Sequence, residues 1–109
     1  MNDSQIERLA QQSAEAAAML RALANQQRLL ILCHLSAAGE LSVSALQGRM
    51  ALSQSALSQH LARLRKEGLV TFRRDAQTLV YRVADERASR LLDMLHELYC
   101  PDLEPERPS

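Results

Sequence analysis

The sequence predicts a mainly α-helical domain carrying one small β-hairpin, and three observations carry that class. Apolar residues recur at steps of three and four through most of the chain, the period of helices with one buried face. Residues 69–83 switch to β-branched and aromatic composition around a polar turn. Aromatics make up only 3% of the residues, with no Trp, which is poor material for an all-β sandwich or barrel. The 109 residues suit one domain, placed at 1–100, followed by an acidic, Pro-containing tail at 101–109 that is expected to be loose.

Five helices are expected. Ile6, Leu9, Ala10, Ala16, Ala17, Leu20 and Leu23 form the stripe of a first helix over residues 4–23. Asn25 suits the N-cap of a second helix whose run Leu29-Leu30-Ile31-Leu32-Cys33-His34-Leu35 is apolar nearly all round, and Gly39 suits its stop. That composition predicts the central buried helix. Ser42 caps a short third helix through Met50, with Glu40 and Leu41 forming a brief strand before it. Ser53 caps a fourth, which carries Leu57, Leu61 and Leu64 inward and stops at Gly68. Strands at 69–74 and 79–83 flank Asp75-Ala76-Gln77-Thr78, and Asp85 caps a fifth helix with the stripe Ala88, Leu91, Leu92, Leu95, Leu98 and Tyr99, ended by Pro101.

Lys plus Arg equals Asp plus Glu, 13 each, yet the charge is unevenly placed. Residues 49–84 carry seven bases against two acids, a net +5, whereas residues 85–109 are net −4. So biased a block predicts a polyanion-binding surface. Two short helices followed by a basic hairpin compose a winged helix-turn-helix, with the helix-turn-helix at 42–68 and the wing at 69–83. On the fourth helix, Ser55, Gln59, Ala62 and Lys66 point away from the Leu seam, flanked by Ser58 and Arg63. Gln54, Ser55, Ser58 and Gln59 are the candidate base contacts, because Gln amides bridge adenine N6 and N7 and hydroxyls serve bases or phosphates. Arg63, Lys66, Arg73 and Arg74 are assigned to phosphates, with Gln77 assisting at the hairpin turn.

The runs Leu52-Ser53-Gln54-Ser55-Ala56-Leu57-Ser58-Gln59-His60-Leu61 and Leu64-Arg65-Lys66-Glu67-Gly68-Leu69-Val70 closely resemble the ArsR-type winged-helix repressors. Leu23-Ala24-Asn25 with Arg28-Leu29-Leu30-Ile31-Leu32 resembles the same family's second helix, so the likeness spans nearly the whole chain. The resemblance implies a homodimer packed through its first and last helices. The length of those two apolar stripes independently exceeds what one small core covers. A twofold dimer predicts a near-palindromic operator in double-stranded DNA, with half-sites one helical turn apart.

Metal-site positions known in that family are not filled. Where its arsenic-type site has Cys-Val-Cys, this chain has Ser42-Val43-Ser44, whose hydroxyls cannot replace soft thiolates. The zinc-type positions on the last helix fall at Asp85, Arg87, Leu98 and Pro101, of which only the first is a ligand. No cofactor is expected.

Cys33 and Cys100 remain, in the contexts Ile31-Leu32-Cys33-His34-Leu35 and Leu98-Tyr99-Cys100-Pro101, which resemble the two-cysteine branch of BigR- and HlyU-like regulators. That resemblance implies a repressor answering reactive sulfur species or oxidants through an intrasubunit disulfide or polysulfide. Read as residues alone, a Cys such as Cys33 inside a Leu-rich helix is most often an inert core residue, and one such as Cys100 before Pro at a helix end is often incidental. A Cys33, His34, His96, Cys100 zinc site is the lesser alternative, since neighbours on a helix diverge by about 100°. A DNA-binding regulator without thiol sensing, one that displaces another regulator, is a further alternative.

Enzymatic function is not expected: the chain has no Cys-x-x-Cys pair, Gly-rich phosphate loop or Ser-His-Asp set. The longest stretch lacking Asp, Glu, Lys and Arg is 13 residues, 50–62, against about 20 apolar residues for a membrane span. Met1-Asn2-Asp3-Ser4 carries none of the features of a secretory signal, and two distant cysteines make no disulfide framework, so the cytoplasm is the expected compartment.

Overall fold

The computed structural model describes residues 1–100; the tail expectation for 101–109 lies outside the described residues. Elements run α1 (Asp3–Gln11), α2 (Ser13–Leu23), α3 (Gln26–Ala38), β1 (Leu41–Ser42), α4 (Val43–Arg49), α5 (Gln54–Lys66), β2 (Val70–Asp75), β3 (Thr78–Val83) and α6 (Glu86–Tyr99).

The described residues form six helices rather than five, because the expected helix over residues 4–23 is broken at Gln12, whose backbone sits at φ −110° and ψ 9°. The Ser13 hydroxyl donates to the Ala10 carbonyl at 2.9 Å, a local bond that competes with helix continuation. Tertiary packing does not oppose the break, since α1 buries no residue. The α1 start is a capping box: Asn2 and Gln5 each accept from the other's backbone N–H, at 2.9 and 2.8 Å.

The remaining helices begin where their caps predict. Asn25 Oδ1 accepts from the N–H groups of Gln27 and Arg28, and Ser42 and Ser53 each accept from the amide three residues on. Asp85 accepts from the N–H groups of Arg87 and Ala88. Gly39 and Gly68 follow α3 and α5 with φ of +86° and +76°, a region that costs a side-chain-bearing residue strain. The guanidinium of Arg28 donates to the carbonyls of Ala22 and Arg21 at 2.7 and 3.1 Å, satisfying acceptors left orphaned at the end of α2.

The strands form one antiparallel sheet in the order β1-β3-β2, with Leu41 opposite Tyr81 and Phe72 also opposite Tyr81. Leu69 hydrogen-bonds back to the Leu64 carbonyl and so belongs to the end of α5, while the hairpin turn narrows to Ala76-Gln77.

Helix α3 lies at the centre, packed against α2, α4, α5, α6 and β3. Its Ile31, Leu32 and Leu35 are fully buried with Leu46, Leu57, Leu64 and Leu69. The expectation that α3 is buried all round does not hold, for Leu30 and Cys33 are exposed on its other side. Ile6, Leu9, Leu20, Met94, Leu98 and Tyr99 on α1, α2 and α6 are exposed as well. Arg87 holds α2 and α6 together by pairing with Glu15 at 2.9 Å and Asp85 at 3.2 Å.

Candidate nucleic-acid interface and the two cysteines

The Leu seam of α5 locks it to the core: Leu57 and Leu64 are fully buried and Leu61 nearly so. The surface beside that seam divides into two stripes. Gln54, Ser58, Ala62 and Arg65, with Leu61 from the edge of the seam, cover about 100° of the helical wheel. They line one side of a groove of about 650 Å³, closed by Gln47 of α4 and by Gln77, Leu79 and Tyr81 of the hairpin. Ser55, Gln59, Arg63 and Lys66 occupy the next about 80° and face solvent outside the groove. The four expected base contacts thus fall in two pairs, Gln54 and Ser58 toward the wing, Ser55 and Gln59 away from it. Ala62 and Ser58, placed by pattern on the outward face and its flank, border the groove instead.

The two neighbouring arginines of the wing are not equivalent. Strand side chains alternate faces, and cross-strand partners share one. Arg74, opposite Leu79, therefore shares the face of Phe72 and Tyr81, whereas Arg73, opposite Val80, lies on the other. There Arg73 donates to both carboxylate oxygens of Glu40, at 2.8 and 3.2 Å, and stands 3.9 Å from Asp75. The hydrogen bond from Arg73 holds the Glu40 carboxyl below its ordinary pKa and raises that of the guanidinium in turn. The assignment of Arg73 to a DNA phosphate is thereby weakened, because a bidentate acid already occupies its fork. Arg63 pairs more loosely, 3.6 Å from Glu67. Lys66 and Arg74 form no ion pair among the described residues.

Sequence reasoning passed over Arg65. Its guanidinium carbon lies 4.2 Å above the centroid of Phe72, which packs on Tyr81 with ring centroids 5.3 Å apart. A basic residue one helical turn past Leu61 and an aromatic in the facing strand were the available signal; their meeting is a tertiary fact.

Cys33 and Cys100 are both free thiols, the first exposed and the second half-buried. Cys100 caps α6, donating its N–H to the His96 carbonyl at 2.8 Å, and α6 packs against α3. Although Cys33 touches solvent, the surrounding protein withholds enough water to push its thiol pKa up, and the charge on Cys100 pushes it further. The two cysteines, 67 positions apart in sequence, lie on helices that pack against each other. Among the described residues, no three His, Cys, Asp or Glu side chains gather to hold a metal, so the Cys33, His34, His96, Cys100 zinc set is not assembled. Also among them, no helix is long and apolar enough to cross a membrane.

A capped polar helix seated on a helical core, with a basic hairpin beside it, defines a winged helix-turn-helix protein that binds DNA and regulates transcription. The chain belongs to the ArsR family of bacterial regulatory proteins, whose model matches residues 25–71. It is 47% identical to the transcriptional activator HlyU of Vibrio cholerae serotype O1 over 95 residues, 87% of each chain. The solved structure of reduced HlyU from Vibrio cholerae N16961 superposes with a TM-score of 0.80 at 48% identity, covering 86% of this chain and 98% of that one. The transcriptional repressor BigR from Xylella fastidiosa superposes with a TM-score of 0.80 at 32% identity, covering 92% and 98%. These relatives are regulators and not enzymes, which agrees with the sequence reading, and they support its placement in the BigR and HlyU branch.

Proposed function

We propose that the protein is a homodimeric cytoplasmic repressor that holds a near-palindromic operator and releases it when reactive sulfur species or oxidants link Cys33 to Cys100 within one subunit. The observation that carries this reading is that both cysteines are free thiols, one on α3 and one at the end of α6, two helices that pack against each other. With a peroxide, one thiolate attacks oxygen to give a sulfenic acid and water. The second thiol then displaces the remaining oxygen as water and closes the disulfide. With an organic polysulfide, two successive thiolate attacks expel two thiols and leave the chain's sulfurs bridging both cysteines. The bridge ties the end of α6 to α3, the helix against which α5 packs, and so shifts the reading heads.

Dimerisation is supported by the exposed Leu20, Met94, Leu98 and Tyr99, an apolar face that one subunit leaves in water. In each subunit Gln54, Ser55, Ser58 and Gln59 contact bases, while Arg63, Lys66 and Arg74 hold phosphates with help from Gln77. The Vibrio relative's name, an activator, favours a second reading in which the protein acts by displacing another regulator.

The test is a gel-shift titration on promoter fragments before and after treatment with a persulfide donor or peroxide, with mass spectrometry of the same samples. Release should coincide with loss of two hydrogens, with or without added sulfur, and Cys33→Ser should keep its operator. A Cys33→Ser variant that still lets go would refute the thiol switch.

A further inference from the structure

Among the described residues, Arg65 is the single charged one lining the groove between α5 and the wing, and no acid borders it there. Its guanidinium carbon sits 4.2 Å over the centroid of Phe72, and that ring is braced by Tyr81. A guanidinium carries five N–H donors, and those of Arg65 meet no acceptor among the described residues. Arg73 and Arg63 instead face acids, and Lys66 and Arg74 have no ring to hold them. A stacked guanidinium with its edge unspent matches the fork geometry of a phosphate, and the stacking removes side-chain freedom before the ligand arrives.

We infer that Arg65 anchors a DNA backbone phosphate in this groove, with Phe72 as its positioning residue and Gln77 as a neutral donor beside it. The inference rests on the DNA-binding reading above. It follows from where the strand must pass: with α5 in the major groove, the backbone bordering that groove runs between the reading helix and the hairpin that flanks it. Among the described residues, the groove offers that strand one fixed cation and no carboxylate.

The experiment is fluorescence anisotropy of the full chain on two labelled duplexes over a range of salt concentrations. One duplex spans the promoter of its own gene; the other is of random sequence. Arg65→Gln should weaken binding to both by the same factor, on the order of tenfold. It should also make the dependence of log Kd on log salt shallower by about 0.9 for each phosphate lost. Arg65→Lys should keep the slope and lose part of the affinity; Phe72→Leu should weaken binding only while Arg65 is present; Arg73→Gln should leave the slope unchanged. An Arg65→Gln chain with the wild-type slope, or one whose loss is confined to particular base pairs, overturns the assignment. A wild-type chain indifferent to every duplex overturns the DNA-binding reading, and this inference with it.

Discussion

Truncating Leu98 to alanine tests whether a second copy of the chain covers the face shared by α2 and α6. Leu98 is 65% exposed in the subunit, so the isolated fold gains little from it. The substitution removes three methylene-sized groups, each worth about 0.8 kcal/mol when fully buried. Scaled by the 65% of the side chain still in water, the loss on burial against a partner is about 1.6 kcal/mol per subunit. Twofold symmetry places the residue at the interface twice, which weakens the dimer by about 3 kcal/mol, on the order of 100-fold in dissociation constant. Sedimentation equilibrium across a dilution series reads that constant directly, and the helical circular dichroism signal should not change. A Leu98→Ala dimer as tight as the wild type would show that no partner covers this face.

Ser53→Ala deletes the 3.1 Å bond to the Ala56 amide that starts the reading helix. It should cost about 1 kcal/mol and lower Tm by about 4–8 °C in calorimetry, with Ser53→Asp restoring most of the loss. Cys33, whose thiol pKa is pushed up by burial and by Cys100, should alkylate more slowly than free cysteine at neutral pH and speed up as pH rises; Cys100→Ser should move that profile downward. Because the folded-state pKa of Cys33 is the raised one, its contribution to stability is complete below the unfolded value and is lost as pH climbs through the folded one. Alkaline unfolding should therefore flatten in Cys33→Ser. Glu40→Gln should free the Arg73 fork and steepen the salt dependence of DNA binding, and an unchanged slope would show that Glu40 does not restrain Arg73 from phosphates.

Cap positions were the most legible part of the fold. Asn25, Ser42, Ser53 and Asp85 each accept from an amide within three residues, so their meaning is contained in a short run of chain. The same holds for Gly39 and Gly68, whose positive φ is a local demand. The break at Gln12 was not legible, because a continuous apolar stripe says nothing about whether packing exists to hold the helix straight. Of the interface, the polar face of α5 could be read from its period. The choice between Arg73 and Arg74 could not: they look alike in sequence, and what separates them is strand parity and an acid 33 positions away.

The amino-acid order by itself therefore determined α3 to α6 and the hairpin, the polar face of α5 and the basic tract. Caps, periodicity and charge composition act over a few residues and need no knowledge of what lies across the fold. Tertiary structure decided which arginine is spent on Glu40, which one lies on Phe72, that Cys33 reaches solvent, and that the helix ending at Cys100 packs on the one that carries Cys33. Those outcomes depend on side chains tens of positions apart meeting at one place, where distance and burial set the energies.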